Sequence, residues 1–175
     1  MRVLNRWFGP HYVLRSFLRR NGYAGHPISV LDIGAGAGDV LEVVAAMCPG
    51  SRTVAIDLRP EHLKALPFRG VAGDAPRLPF GPDSFDVVLM NALLHEFPDG
   101  QTADVLSQAW RAAKRSLLVI DLQRCWFAHR FLPLTRPIFG WQRLTMIDGP
   151  TSVAAGFKAP ELRELARETG ITGAR

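Results

Sequence analysis

The chain has 175 residues, 47% of them hydrophobic, with a formal net charge of +5 and two cysteines. That length and apolar fraction fit one globular domain with a sizeable core and exclude a disordered chain. No apolar run is long enough to span a membrane, and the distant Cys48 and Cys125 make neither a disulfide framework nor a zinc pattern, which fits a reducing, cytoplasmic setting.

Arg2, Arg6, Arg15, Arg19 and Arg20 all precede the first acid, Asp32, while Arg124, Arg130, Arg136 and Arg143 share a second stretch poor in acids. Both groups alternate with large apolar side chains. They read as the wet faces of amphipathic segments rather than as a phosphate-binding stripe, so nucleic acid is disfavoured as a partner. Residues 1–20 follow a helical period, with Val3, Leu4, Trp7 and Phe8, then Val13, Leu14, Phe17 and Leu18, and Gly9-Pro10 predicts a break between the halves. An Arg-rich, acid-free helix also describes a mitochondrial transit peptide, but serine is scarce and no cleavage signal stands out. A helical cap over the site ahead is the preferred reading.

Residues 28–33 read as a buried strand that breaks into Gly34, Gly36 and Gly38 within VLDIGAGAGDV and runs into an apolar helix over 40–47. Glycine permits the sharp turn and the close approach of a ligand, and the helix start supplies free N–H groups. Strand, glycine turn and helix at the head of an α/β unit is a nucleotide-site signature. A second strand over 53–56 ends in Asp57, a short helix covers 60–66, and a weak third strand covers 70–74. A fourth strand spans 85–90, a helix 103–114, and a fifth strand 117–120 ends at Asp121. The alternation predicts a mainly parallel sheet of five strands, apolar on both faces and covered by helices on both. Residues 122–147, aromatic and basic with Pro133 and Pro137, read as a helical insertion or lid. Residues 159–169 read as an amphipathic helix stopped by Gly170.

Ligands in open α/β sheets bind at the carboxyl ends of the strands. Four stretches fall there: Gly34 to Gly38, Asp57, Asp74-Ala75, and Asn91 to His95. A dinucleotide turn of the form Gly-x-Gly-x-x-Gly/Ala would place a small residue at 39, where this chain has Asp39, and it carries a further acid, Asp32, before the first glycine. Negative charge beside a pyrophosphate is unfavourable, but it suits a cationic sulfonium and an ammonium group. No Gly-Lys-Ser/Thr follows the glycines, so a triphosphate loop is not supported.

The series VLDIGAGAGDV, VAIDL, GDAPRLPF and FDVVLMNALLHEF, over roughly residues 28–121, resembles the class I S-adenosylmethionine-dependent methyltransferases. The resemblance implies a Rossmann-like methyltransferase fold with S-adenosylmethionine as cofactor and S-adenosylhomocysteine as product. It implies that Asp32, Gly34, Ala35, Gly36 and Gly38 hold the methionyl end and that Asp57, with Leu58 beside it, holds the ribose. Asp74 and Ala75 would face the adenine, and Asn91, Ala92 and Leu93 would close the cofactor pocket. The later DLQR and IDGPTSVAAGFKAPELRELARETG resemble a bacterial subgroup associated with small-molecule, polyketide-like secondary metabolism. On this reading the chain is a single methyltransferase domain: a helical cap (1–27), a cofactor-binding core (28–121), a lid or insertion (122–158) and a terminal helix (159–170).

Methyl transfer from a sulfonium is an in-line displacement in which positioning supplies much of the catalysis. A hydroxyl acceptor must also lose a proton, and His95 is the best placed base. The plain alternative is a packing or capping histidine, and Glu96 either orients it or is solvated. His129, and then His11, His26 and His62, stand behind it. Asn91-Ala-Leu-Leu lacks the Asn-Pro-Pro-Tyr clamp of enzymes that methylate planar amines, which argues against a DNA N-methylating enzyme. Trp126, Phe127, Phe131, Phe139 and Trp141 suggest a hydrophobic acceptor or simply a lid core.

The family's sheet normally closes with an antiparallel hairpin of strands six and seven, and nothing after residue 121 reads as those strands. Strand five would then be an edge for a lid or a homodimer partner to cover. The reading is therefore O-methylation of a small aromatic or polyketide-like hydroxyl, with no metal. Its alternatives are a truncated, non-catalytic binding module, an RNA methyltransferase and an NAD(P)-dependent oxidoreductase.

Overall fold

The computed structural model describes residues 9–121, Asp99 by its backbone alone, and residues 156–171. They fall into two compact units, one of residues 9–91 and 104–120, the other of residues 92–103, 121 and 156–171.

The first unit is built on five strands, β1 (Ser29–Ile33), β2 (Arg52–Asp57), β3 (Arg69–Ala72), β4 (Phe85–Asn91) and β5 (Ala113–Ile120). All pair in parallel, in the order β3-β2-β1-β4-β5. The chain winds outward from β1 in both directions, so β1 and β4 flank the point where the order reverses, and ligands bind at the carboxyl ends beside such a point. Helices α1 (Pro10–Arg20), α2 (Asp39–Met47) and the short α3 (Pro60–Leu63) belong to this unit, α4 (Asp99–Ala112) runs from the second unit into it, and α5 (Ala159–Glu168) belongs to the second.

The inner strands β1, β2 and β4 are apolar on both faces along their buried stretches, whereas the edge strand β3 is largely exposed. Val30, Ala55, Val87 and Leu89 lie in one buried cluster with Leu14 and Leu18 of α1 and Val40, Leu41 and Val44 of α2. Full burial of each such leucine or valine contributes roughly 1.5–3 kcal/mol. Residues of the alternate parity, Leu31, Ile33, Val54, Ile56, Val88 and Met90, are buried as well. At the amino ends of β1 and β4, Ser29 donates from its N–H (2.8 Å) and its hydroxyl (2.7 Å) to Asp86 Oδ2 and accepts from the Asp86 N–H over 2.9 Å. This three-bond clasp fixes the register of the two central strands.

The expected helix over 103–114 is displaced. It begins at Asp99, because the Pro98 carbonyl accepts the Gln101 N–H (2.8 Å) and the Thr102 hydroxyl (3.1 Å) and so closes a first turn made of polar residues. It ends at Ala112 because Ala113 already pairs with Phe85, with an irregularity between Phe85 and Val87. Lys114 is thus in β5, and β5 is longer than the apolar 117–120. The weak third strand ends at Ala72, which leaves Asp74 beyond it.

No strand follows β5 among the described residues. The lid expected over 122–158 lies outside them up to residue 155, and with it His129 and the aromatic residues placed there. The terminal helix follows expectation. The Glu161 carboxylate accepts the Lys158 N–H (2.9 Å), and Gly170, at φ +74°, lets the Ile171 N–H return to the Ala166 carbonyl (2.8 Å).

Candidate functional site

At the carboxyl end of β1 the chain turns through Gly34, Gly36 and Gly38, at φ +71°, +50° and +71°, values that L side chains rarely adopt. The N–H groups of Gly34 (2.8 Å) and Ala35 (3.2 Å) donate to the Ile56 carbonyl of β2, and Gly38 donates to the Ala35 carbonyl (2.8 Å). A Cβ at Gly36 would meet nothing nearer than the Gly34 oxygen at 3.9 Å, so the space over the turn suits a close ligand. A Cβ at Gly38 would stand 2.7 Å from Leu66 Cδ2, the end of a side chain that would have to turn aside, so the left-handed backbone is the firmer demand for glycine here.

Asp57, the last residue of β2, is joined to this turn. Its Oδ2 accepts the Gly36 N–H and its Oδ1 the Arg59 N–H, both over 2.9 Å. His62 Nδ1 lies 3.3 Å from Oδ1, near enough to form an ion pair when protonated but without hydrogen-bond alignment. Burial pushes the Asp57 carboxyl up, but the N–H groups of Arg59 and Gly36 and the adjacent His62 outweigh it and hold the group below its ordinary value.

Asp32 sits beneath the turn, paired in register with Ala55 on one side and Leu89 on the other. It is 1% exposed, and neither carboxylate oxygen has a partner among the described residues. Burial first, and then the negative charges of Asp39 and Asp57, push its carboxyl well above the ordinary value. Asp39, the first residue of α2, is held by His11 of α1 through Nε2 to Oδ2 over 3.0 Å.

The structure thus brings Asp32, Gly34, Ala35, Gly36, Gly38 and Asp57 together. Leu58, next to Asp57, is 70% exposed, an unusual state for a leucine at a strand end. The Gly73 N–H donates to the Asp57 carbonyl (3.0 Å), which brings the chain beyond β3 to the end of β2, and exposed Asp74 leads a short 3-10 turn, Ala75–Arg77, with Ala75 buried. Asn91 closes β4, and its Oδ1 is buried with no partner among the described residues.

Ala92 and His95 belong to the second unit. Ala92 has φ +50°, a left-handed conformation that costs a non-glycine residue about 1–2 kcal/mol. The His95 side chain, 6% exposed, places Nδ1 2.6 Å from Asp121 Oδ1, while Asp121 Oδ2 accepts the N–H groups of Leu94 (2.7 Å) and His95 (3.3 Å). Glu96 Oε1 is 3.3 Å from His95 Nε2, and that side chain is 66% exposed.

From the sequence Glu96 either orients His95 or is solvated; it is mostly exposed, and the buried carboxylate at Nδ1 is Asp121, to which the sequence reading gives no role. The available signal was an acid at the end of the fifth strand, the same feature that had marked Asp57. The pairs formed by His11 and His62 were also missed: His11 reaches Asp39 through the tertiary fold, and His62 turns back from α3 to the nearby Asp57. Among the described residues no group of His, Cys, Asp and Glu is arranged to hold a metal ion.

Residues 30–116 match the family model of the methyltransferase domain. The chain is 35% identical over 100 residues to demethylmenaquinone methyltransferase of Roseiflexus sp. strain RS-1, covering 53% of this chain and 41% of that protein. It is 36% identical over 91 residues to the enzyme of that name from Roseiflexus castenholzii, covering 48% and 37%. It therefore spans less than half the length of these relatives. The crystal structure of a SAM-dependent methyltransferase from Aquifex aeolicus shares the fold, with a TM-score of 0.63, 19% identity and coverage of 90% of this chain and 78% of that one. The glycine turn, the strand order and these likenesses agree, and the chain belongs to the class I S-adenosylmethionine-dependent methyltransferase family.

Proposed function

We propose that the protein of which this chain is all or part transfers a methyl group from S-adenosylmethionine to a small hydroxylated aromatic acceptor. The observation that carries the cofactor half is Asp32, a carboxylate 1% exposed and without a partner among the described residues, beneath a turn whose middle glycine leaves room for a ligand. A buried unpaired carboxylate is unfavourable alone and favourable beside a cation. The residues fit the cofactor: Asp32 and the turn suit its cationic end, Asp57 a ribose diol, exposed Leu58 an apolar ring face, and Ala75 and Asp74 a base edge. Asn91 completes the set at the end of β4.

When bound, the cofactor supplies a methyl carbon activated by its sulfonium. His95, which follows β4 shortly after Asn91, would take the proton from an acceptor hydroxyl at Nε2 and so leave the oxygen able to accept the methyl group, the carbon–sulfur bond breaking with S-adenosylhomocysteine as the leaving group. The exposed Glu96 is the group that an acceptor would displace from Nε2. This supports O-methylation of an aromatic or polyketide-like hydroxyl. A second reading, methylation of a quinone-type acceptor, is favoured by the name of the Roseiflexus relatives. The same base serves it, because a deprotonated quinol carries negative charge on ring carbon as well as on oxygen.

Isothermal titration with S-adenosylhomocysteine tests the cofactor assignment, and the absence of binding would remove it. A panel of phenols and a demethylated quinol, each with labelled cofactor, then separates the two acceptors by whether the label appears on oxygen or on carbon. A His95→Gln variant that turns over like wild type would remove the base.

A further inference from the structure

The second unit contains a device that the methyl-transfer reading does not itself require. Asp121 uses both carboxylate oxygens on the same short stretch: Oδ2 takes the N–H groups of Leu94 and His95, and Oδ1 faces the His95 ring at 2.6 Å. Both side chains are nearly sealed, at 2% exposure for Asp121 and 6% for His95. The backbone bonds hold the carboxylate in place relative to the turn that bears the histidine, so the ring is clamped to its own backbone. A carboxylate only accepts, so Nδ1, hydrogen-bonded to it at 2.6 Å, must carry hydrogen, whereas Glu96, 3.3 Å from Nε2, makes no hydrogen bond to the ring.

The geometry points to Asp121 as a positioning residue that fixes the His95 ring with its proton on Nδ1 and thereby leaves the Nε2 lone pair free to receive a proton. This rests on the reading of His95 as the base. Chemically, the acceptor proton goes to Nε2, the Nδ1 hydrogen stays on its nitrogen, and the resulting positive ring is stabilised by the Asp121 carboxylate. Glu96, 3.3 Å from Nε2 and mostly exposed, offers the proton a way to water once the methyl has moved.

The arrangement makes a prediction that simple packing does not. In Asp121→Asn the amide has one accepting oxygen. The Leu94 and His95 N–H groups require that oxygen at the Oδ2 position, which turns the amide NH2 towards Nδ1. Nδ1 must then accept, so the ring proton is driven to Nε2 and the base is blocked, although size and backbone bonds are retained.

Nitrogen-15 NMR of the His95 ring, at a pH where the ring is neutral, reads this directly and needs neither substrate nor cofactor. The expected result is a protonated Nδ1 in the wild-type chain and a protonated Nε2 in Asp121→Asn. A wild-type ring protonated on Nε2 would overturn the assignment, and so would an Asp121→Asn ring still protonated on Nδ1. Should the variant fail to fold, the wild-type tautomer alone decides. In turnover, Asp121→Asn is expected to lower kcat by more than tenfold with KM little changed. A Nδ1-protonated wild-type ring combined with full turnover in His95→Gln would sink the base reading and leave the clamp standing.

Discussion

The Gly36 N–H donates to Asp57 Oδ2 over 2.9 Å, so a carboxylate at the end of one strand holds the turn that leaves its neighbour. The two features are a single structural element. Asp57 also takes the Arg59 N–H, and it therefore shapes the turn and the loop after β2 together.

Replacing Asp57 by alanine removes both bonds and the proposed ribose contact. A hydrogen bond to a charged group is worth about 1.5–3 kcal/mol, so S-adenosylhomocysteine should bind about tenfold to hundredfold more weakly. Calorimetric titration of the variant checks this. An unchanged affinity would show that the carboxylate serves the turn alone.

Asp32 presents the opposite balance. Its folded-state value is raised above the ordinary carboxylate range, so the folded chain binds more protons than the unfolded one as pH rises past that range. Stability therefore falls with rising pH until the folded value is reached. Asp32→Asn should abolish that loss, and in the absence of cofactor the variant should melt higher at neutral pH. Relief of about 1 kcal/mol corresponds to a rise of about 2–4 °C. The same variant should favour the cationic S-adenosylmethionine over the neutral S-adenosylhomocysteine less than wild type does. Melting scans over pH and paired titrations measure the two effects. A variant that melts lower at neutral pH would show that the carboxylate is held by partners beyond the described residues.

These contrasts explain what could be read in advance. β1 and β4 are apolar runs ending in a glycine turn and an asparagine, and burial on both faces leaves such strands no other pattern. The C-terminal helix declares its end through Gly170. The first turn of α4 reads as loop because Gly100, Gln101 and Thr102 carry no apolar stripe, and the Pro98 carbonyl that organises them is a local bond, invisible to periodicity. The start of β5 is hidden by Lys114 and Arg115, two exposed charges. Asp121 reaches His95 across 26 positions of sequence, a distance at which no spacing rule applies.

The clasp between Ser29 and Asp86 should be visible in acid. Burial pushes the Asp86 carboxyl up, but the Ser29 hydroxyl and N–H, with Lys114 and Arg115, outweigh it and hold the group below its ordinary value. For a depressed carboxylate, the stabilisation is present above the unfolded value and lost as pH falls through the folded one. Ser29→Ala should thus destabilise the chain by about 1–2 kcal/mol at neutral pH. The gap from wild type should narrow on acidification below the ordinary carboxylate range. Urea unfolding midpoints over pH test it, and a gap of constant size would assign the effect to the Asp86 N–H bond instead.

Gly36 and Gly38 should separate binding from stability. Both have positive φ, so alanine at either costs about 1–2 kcal/mol through the backbone alone. At Gly38 the new Cβ also meets Leu66 Cδ2 at 2.7 Å, whereas at Gly36 it enters open space over the turn. Gly38→Ala should therefore be the less stable variant in urea, and its cost should be smaller when measured in a Leu66→Ala background, which has no Cδ2 to clash, than in wild type. Gly36→Ala should unfold nearer to wild type yet lose more affinity for S-adenosylhomocysteine, because its methyl occupies the space proposed for the ligand. Equal losses of affinity in the two variants would mean that the ligand does not approach the turn at Gly36.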